Sequence, residues 1–582
     1  MDLLKKKKSI EYQRIYNWIG KHPYLIILAI SFIFLAPALI YGMPLDSDDA
    51  MPHRRWQHFF ANQLWKGEIY PRWIFDMNDG FGSPAFFIYP PLAHSIAALF
   101  HPAFPDADGV PYRLAISVFL CLVASGIGAY HWLYQVVQEK SSALIGAVIY
   151  VIAPYHLFVD VYLRGAIAEL WAFAWAPWTL LAIHLFVNRD RNGIFVFVFS
   201  ASALIFSHAP SSLFLFFAYF AYAALLAWKL KEVSVLIYSI ISTVIAVLIA
   251  GVYLGTALSH TTYINSDALF KGYFDFFKWL MFSEARWPST KAEYAITGVA
   301  LIQTFAATLL GVISLLGLEK GHKIRYIVWF SLTGNIVIFL LMSTWGTAFW
   351  KIFYPLQRIQ FPWRLLMLQS VYLGLLAACC ATAQNKLKYR VQRKKPLAML
   401  VLILVGFSMV NVSLYGFNKR SLPFTEIGNL ETPEYTLGDT KILKHLFQEN
   451  EKVSFLNGHG KVVIVKWTPR HLLIDIETKT AVRIVIRQFA YPGWQYRFSN
   501  LQTYNNVERL DGAEQLIGLS LEAGHKQIEF SLRPTVAESV GIAASILGCL
   551  SLIAFILFTP RISLNKSVNE AYFIKKPQLI DN

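Results

Sequence analysis

The sequence predicts a polytopic α-helical membrane protein of about twelve transmembrane helices with a β-rich domain inserted between the last two. Three observations carry that prediction. Of the 582 residues, 56% are hydrophobic and only 15% charged, a balance foreign to soluble globular chains. Apolar runs long enough to cross a bilayer recur along the chain, separated by loops rich in lysine and arginine. Residues 452–533 then switch to an alternation of period two, as in His471-Leu472-Leu473-Ile474-Asp475-Ile476-Glu477.

The N-terminal 1–23 segment is basic, with lysines at 5–8, Arg14 and Lys21, and leads into an apolar run over 24–42. Ala36-Pro37-Ala38 faintly resembles a signal-peptide cleavage site, but the run is long enough to span and many further spans follow, so it reads as the first membrane helix. Basic clusters recur at Lys140, Arg189/Arg191, Lys229/Lys231, Lys320/Lys323/Arg325, 386–395 and Arg561/Lys566. Under the positive-inside rule these mark the cytoplasmic loops. Threading spans between them predicts helices near 24–42, 113–137, 142–159, 168–187, 193–207, 212–228, 233–253, 297–318, 325–343, 364–384, 396–415 and 536–559, with both termini inside. The net charge of +16 is then a product of topology and does not call for nucleic acid.

Residues 84–104 are apolar enough to suggest a further span, yet counting it would put Lys140 and Arg189 outside. Pro84, Pro90, Pro91, Pro102, His94 and His101 break and wet this stretch, which is therefore expected to be interfacial or re-entrant. The four cysteines, Cys121, Cys379, Cys380 and Cys549, all fall in apolar spans and offer neither a disulfide framework nor a zinc spacing.

The resulting scheme has a helical membrane domain over 24–415 with a first external loop at 43–112, an extracytoplasmic domain at 416–535, a final helix at 536–559 and a cytoplasmic tail at 560–582. Other external segments are 160–167, 254–296 and 344–363. In the C-terminal domain, turns at Asn457-Gly458, Pro492-Gly493 and Asp511-Gly512 separate short strands, which predicts a small antiparallel β-sandwich serving as a structural or acceptor-binding lid.

The first external loop opens on Asp46-Ser47-Asp48-Asp49, three carboxylates at the mouth of a span. Ionised aspartates are costly in hydrocarbon, so this group points to a bound cation, a general base or both, against the alternative of a solvated acidic loop. Magnesium or manganese is the metal that Asp46, Asp48 and Asp49 would suit. Residues 51–66 follow as an amphipathic helix, with Trp56, Phe59, Phe60 and Leu64 on one side, expected to lie in the headgroup plane. If that helix begins near Asp49, His53 stands one turn later on the same face, where the two could share a proton or a cation. The rest of the loop is dense in Gly, Pro and aromatic residues, and its rings suit carbohydrate or isoprenoid contact or an interfacial belt.

Several strings here carry a resemblance: 53–56, Gly67-x-x-Tyr70-Pro71-Arg72-Trp73, Asn78-x-Gly80-x-Gly82-x-Pro84, Tyr89-Pro90-Pro91-Leu92, and later Arg358-Ile359-Gln360-Phe361-Pro362-Trp363-Arg364 and Tyr491-Pro492-Gly493-Trp494. The chain resembles the GT-C superfamily of integral-membrane glycosyltransferases, and within it the bacterial membrane family labelled as related to 6-pyruvoyl-tetrahydropterin synthase, with YfhO-like features toward the C-terminus. The resemblance implies a GT-C-like fold and inverting transfer of a sugar from a polyprenyl-phosphate donor to a glycan, lipid or protein acceptor at the outer face of a bacterial inner membrane. In such a transfer a carboxylate takes the acceptor's proton while cations stabilise the departing phosphate. Asp46, Asp48 and Asp49 are the candidates for the base, Asp48 and Asp49 being nearer His53. Glu169 matches a second functional acid, or else pairs structurally with Arg164. Arg286, Arg358 and Arg364 form a candidate phosphate clamp, since outside arginines run against the orientation bias and guanidinium forks match phosphate. His53, Arg72, Tyr89, Arg164 and His208 complete the expected substrate contacts, His208 having a helix-terminal hydrogen bond as its simpler explanation. A lipid-linked glycan flippase or transporter and a non-catalytic scaffold for envelope-polymer assembly are the alternative functions.

Overall fold

The structure, a computed structural model, describes residues 21–44, 47, 49–283, 291–386, 395–416 and 430–558. Its helices are α1 (Pro23–Tyr41), α2 (Ala50–Trp65), α3 (Leu92–Ala98), α4 (Val110–Val137), α5 (Lys140–Val151), α6 (Ile167–Val187), α7 (Asn192–Ser207), α8 (Ala209–Leu230), α9 (Ser234–Ile249), α10 (Gly251–His260), α11 (Lys291–Gly317), α12 (Arg325–Met342), α13 (Leu366–Lys386), α14 (Lys395–Asn411) and α15 (Val536–Phe558), together with shorter turns. A wider, π-helical stretch, Tyr155–Arg164, prolongs α5 beyond Pro154. Among the described residues nine helices, α5 counted with this extension, are long and apolar enough to cross a bilayer. The pair α9 and α10, bent by 67°, makes a tenth, and two shorter apolar helices occupy the remaining predicted positions.

Within the bundle α13 is enclosed on all sides, whereas α15 is largely exposed along its length. What fastens α15 is close backbone approach. A Cβ on Gly541 would lie 2.4 Å from the Gly251 carbonyl oxygen, so α15 and α10 meet through small residues, the usual device where lipid supplies no hydrophobic drive between helices. Residues 84–104 hold no spanning helix: the stretch is broken into Ala85–Ile88, α3 and a turn.

Eight strands follow: β1 (Val453–Asn457), β2 (Gly460–Thr468), β3 (His471–Thr478), β4 (Val482–Phe489), β5 (Trp494–Phe498), β6 (Asn505–Asn506), β7 (Leu516–Leu521) and β8 (Gly524–Leu532). They form two antiparallel sheets, β1-β4-β7 and β2-β3-β8-β5-β6. Period-two alternation puts Leu472, Ile474 and Ile476 of β3 inside, with Leu472 opposite Phe530 and Ile474 opposite Ile528.

This core is not self-sufficient. Trp73, Phe75, Phe81 and Phe87 of the first loop are buried in the same cluster as the strand residues. The Trp73 indole donates to Gln488 Oε1 at 2.8 Å, Gln488 Nε2 donates to the Gly80 carbonyl at 2.6 Å, and the Phe489 amide donates to the Phe81 carbonyl at 2.8 Å. The Gly- and aromatic-rich loop is thus a plug for the β-sandwich, and its motif residues hold shape for that purpose.

α2 departs from the expected interfacial helix. His53, Arg54, Gln57 and Gln63 are buried along with Trp56 and Phe60. Gln63 Nε2 donates to the Trp73 carbonyl at 2.7 Å, Gln57 meets His94, and the buried Arg54 reaches the solvent-exposed Asp108 carboxylate at 3.2 Å. Burial of a mixed face is tolerable because the groups are hydrogen-bonded.

Gly82 sits at φ +86°, and a Cβ there would fall 2.3 Å from the Trp73 ring. Gly82→Ala combines left-handed backbone with overpacking of the plug, and we expect it to destabilise the protein by roughly 2–5 kcal/mol. Chemical denaturation in detergent followed by tryptophan fluorescence checks this; an unchanged midpoint would refute the plug.

Candidate active site

The site is assembled where the helices end. Gly165, at φ +66°, turns the chain out of the π-helical stretch, so that Glu169 falls in the first turn of α6. A carboxylate there faces the positive end of the helix dipole. Glu169 is 1% exposed and accepts from three donors: Tyr155 Oη to Oε1 at 2.7 Å, Arg164 Nη1 to Oε2 at 2.9 Å and Arg364 Nε to Oε2 at 3.2 Å. Arg164 also donates to Asp160 Oδ1 at 3.1 Å and, through Nη2, to Asp49 Oδ2 at 3.2 Å. The Asp49 amide donates to the Arg164 carbonyl at 2.8 Å, fixing the start of α2 against the same loop. Arg364 is held by the Ile359 carbonyl at 2.7 Å and by Gln360 Oε1 at 2.9 Å. Gln360, a non-glycine residue at φ +65°, turns to make that contact while donating to the Leu269 carbonyl at 3.2 Å.

A cavity of about 580 Å³ opens beside this network. Its lining draws on every external segment expected from sequence: Asp49, His53 and Tyr89 from the first loop, Arg164 and Ala166 from the second, Ser266 and Phe270 from 254–296, Arg358 and Gln360 from 344–363, and Thr432, Glu434 and Tyr435 from the C-terminal domain. Glu169, His208 and Arg364 line it as well. Leu254, Leu258, Leu269, Phe270 and Phe274 make one part of its wall apolar.

His53 is 3% exposed, not the surface histidine of an interfacial helix. Its backbone amide donates to the Asp49 carbonyl at 3.2 Å, as the helical spacing predicts, but its ring is engaged elsewhere. Gln57, with its oxygen accepting from the Ala98 amide at 3.0 Å, donates to His94 Nδ1 at 2.9 Å. His94 Nε2 then donates to His53 Nδ1 at 3.2 Å, which leaves the His53 Nε2–H directed at the Tyr89 hydroxyl, 3.4 Å away. A backbone amide thereby sets the tautomer of both rings. Burial lowers the His53 pKa to about 4 against the partial opposition of Asp49, and burial lowers that of His94 well below its usual value, so both rings are neutral at pH 7. His208 Nδ1 accepts from the Ser211 amide at 3.3 Å and caps α8. Its pKa is lowered to about 3 by burial and by the nearby Arg364.

Of the residues singled out in the sequence, Asp49, His53, Tyr89, Arg164, Glu169, His208, Arg358 and Arg364 meet at this cavity. Glu169 pairs with Arg164, as the structural reading expects, and it also lines the cavity. Arg72 does not belong there. It donates to Glu538 Oε1 of α15 at 2.6 Å and to the Val252 carbonyl of α10 at 3.0 Å, a structural tie between the first loop and the last helix. Asp46, Asp48 and Arg286 lie outside the described residues. No group of three or more His, Cys, Asp or Glu among the described residues is arranged to hold a metal ion. Of the three aspartates Asp49 alone is described, and its Oδ2 accepts from the Arg164 guanidinium.

The sequence reading missed Asp160, Tyr155, Gln360 and Glu434. Asp160 had a signal, an acid four residues before Arg164 in an otherwise apolar run. Glu434, in Glu431-Thr432-Pro433-Glu434-Tyr435, is brought to the site by tertiary contacts that no local pattern announces.

No protein-family model matches the chain, and no curated protein matches it. Among solved structures, the arabinofuranosyltransferase AftD from Mycobacteria aligns with 70% of this chain and 28% of its own, at 16% identity and a TM-score of 0.42. The Archaeoglobus fulgidus oligosaccharyltransferase, in complex with zinc and sulfate, aligns with 69% of this chain and 54% of its own, at 13% identity and a TM-score of 0.36. The chain therefore spans under a third of the first and about half of the second. Likeness at this level carries no assignment of activity.

Among the described residues, removing Arg164 would leave the buried Asp160 without an ion-pair partner and Glu169 with Arg364 as its one cation, so Arg164→Met should cost about 3–5 kcal/mol, whereas Asp49→Asn at the half-exposed end should cost less than about 1 kcal/mol. Denaturant titrations in detergent measure both. His53 and His94 are held neutral below the pKa they have when unfolded, so the stability they contribute is present above about pH 6.5 and is lost as pH falls toward 4, where the unfolded chain takes up the protons. The unfolding midpoint should be flat above pH 6.5 and fall below it, with a shallower fall in His53→Asn and His94→Asn.

Proposed function

We propose that this protein is an integral-membrane glycosyltransferase of the GT-C type that transfers a sugar, with inversion, from a polyprenyl-phosphate donor to an extracytoplasmic envelope acceptor. The observation that carries the reading is the composition of one cavity. Arginines, a half-exposed carboxylate and an apolar wall converge in it at the ends of membrane helices, and those are the three surfaces that a lipid-linked phosphosugar undergoing attack requires. Arg358, whose guanidinium rests on the Phe270 ring at 4.2 Å, makes no ion pair among the described residues and is available to phosphate. Leu258, 74% exposed beside Phe270 and Leu254, offers the isoprenoid chain a path from the bilayer.

The chemistry follows from these placements. The acceptor oxygen attacks the anomeric carbon, the bond from that carbon to the phosphate oxygen breaks, and the phosphate keeps the electron pair. Arg358 and Arg364 stabilise the charge that develops on it. The proton of the acceptor passes to an aspartate at the start of α2, Asp49 or its neighbour Asp48. No step here runs through a divalent cation. By the charge bias of the loops the cavity opens outside a bacterial plasma membrane and both termini are cytoplasmic. A second reading, a lipid-linked glycan flippase, draws on Asp160, Arg164 and Glu169, ionisable groups buried at the ends of spans.

The test uses the protein in lipid nanodiscs with a panel of polyprenyl-phosphate sugars and envelope glycans, scored by release of polyprenyl phosphate. We expect turnover that falls by about 100-fold or more in Asp48→Asn/Asp49→Asn and in Arg358→Gln. Turnover undiminished in the double aspartate variant would remove both from the role of base. Movement of a labelled donor across liposomes without its cleavage would favour the flippase.

A further inference from the structure

The C-terminal domain sends one short segment, residues 430–435, into the cavity, and the structure shows how firmly that segment is held. The Leu430 carbonyl accepts from Arg55 at 2.9 Å. The Glu431 amide donates to Asn78 Oδ1 at 2.8 Å, while the partly buried Glu431 carboxylate accepts from the Trp56 indole at 2.9 Å, from the Thr432 amide at 2.9 Å and from the Ser83 hydroxyl. Tyr435 is 7% exposed and packs edge-on against Trp56 with ring centroids 5.6 Å apart. Four anchors on α2 and the first loop therefore fix a turn whose Thr432, Glu434 and Tyr435 line the cavity.

Arg164 and Arg364 are paired with Asp49, Asp160 and Glu169, and the two lining charges with no ion pair among the described residues, Arg358 and Glu434, are carried by different parts of the cavity. Arg358 and Arg364 belong to the 358–364 stretch beside Phe270 and Gln360. Glu434 has no ion pair among the described residues, its carboxylate shares a hydrogen bond with the Thr432 side chain, and burial together with the charge of Asp49 raises its pKa against that bond. Carboxylates so placed repel anions and accept hydrogen bonds from hydroxyls, and the tyrosine and tryptophan rings next to them present the apolar faces and edges on which sugar rings rest.

Resting on the transferase reading, we infer that residues 430–435 form the acceptor half of the site, and that the acceptor is a neutral glycan whose hydroxyls are bound by Glu434 and Thr432. The donor phosphate occupies the arginine half. Glu431 acts through its neighbours as a positioning residue, and Glu434 determines specificity by excluding acceptors that carry a negative charge.

The experiment uses the full chain in nanodiscs and measures KM separately for donor and acceptor, with neutral and uronic-acid-bearing oligosaccharides of matched length as acceptors. Binding of each probe is followed independently by calorimetry. Glu434→Gln should raise the acceptor KM by about 10- to 100-fold and leave the donor KM and the unfolding midpoint unchanged. Glu434→Lys should transfer preference to the uronic-acid glycans, and Arg358→Gln, besides lowering turnover, should raise the donor KM and leave the acceptor KM unchanged. An unchanged acceptor KM in Glu434→Gln, or a wild-type preference for anionic acceptors, would overturn the inference while leaving the transferase intact. A wild-type protein that neither binds nor turns over any donor would overturn the transferase reading and this assignment with it.

Discussion

The architecture around the cavity depends on a carboxylate taken out of water. Glu169 is buried near the end of a membrane helix, where an unpaired charge costs several kcal/mol even after relaxation. Its desolvation is offset because Tyr155, Arg164 and Arg364 all donate to it, the first two from the two ends of the π-helical stretch and the third from a distant turn. Arg164 carries the constraint on to Asp49 and the first turn of α2, while Arg364 holds the 359–364 turn through Gln360 and a carbonyl. One charge thus sets the relative positions of three loops.

A second constraint is supplied from outside the bundle. The first loop and the β-sandwich share a core, so neither has a settled shape without the other. The tie between Arg72 and Glu538, with the glycine contact of α10 and α15 beneath it, extends this dependence to the last helix. Segments that are distant in sequence enclose the cavity because their apolar surfaces have nowhere else to be buried.

Local chemistry made the helices legible. Apolar runs and lysine-rich loops placed a helix at each of the twelve expected positions, of which nine, or ten with the bent pair, are long enough to span among the described residues, and the alternation of residues 452–533 located the strands, because hydrophobic period is a property of neighbouring residues. The prolines and histidines of 84–104 likewise announced a broken segment. Charged groups were harder to assign. Arg164 and Glu169 stand five residues apart and could be paired on paper, whereas Arg72, like Arg358, falls in a segment expected to be external and only the fold separates a tie from a cavity residue. The polar face of α2 looked solvated because the sequence does not disclose that His94, Asp108 and Trp73 will cover it. Glu434 acquires its place through a strap whose anchors lie in the first loop, and pattern over a short window cannot register that.

The plug has a consequence for the order of events during synthesis. Trp73 and its partner Gln488 are separated by 415 residues. At about 5–20 residues per second, a ribosome delivers the second on the order of tens of seconds after the first. Throughout that interval the loop stands outside the membrane with four large aromatic side chains uncovered, while most of the helices that follow it are still being inserted. Maturation of this face is therefore clocked by translation of the C-terminus, and a nascent chain stalled between the first loop and β4 leaves the same aromatic surface uncovered.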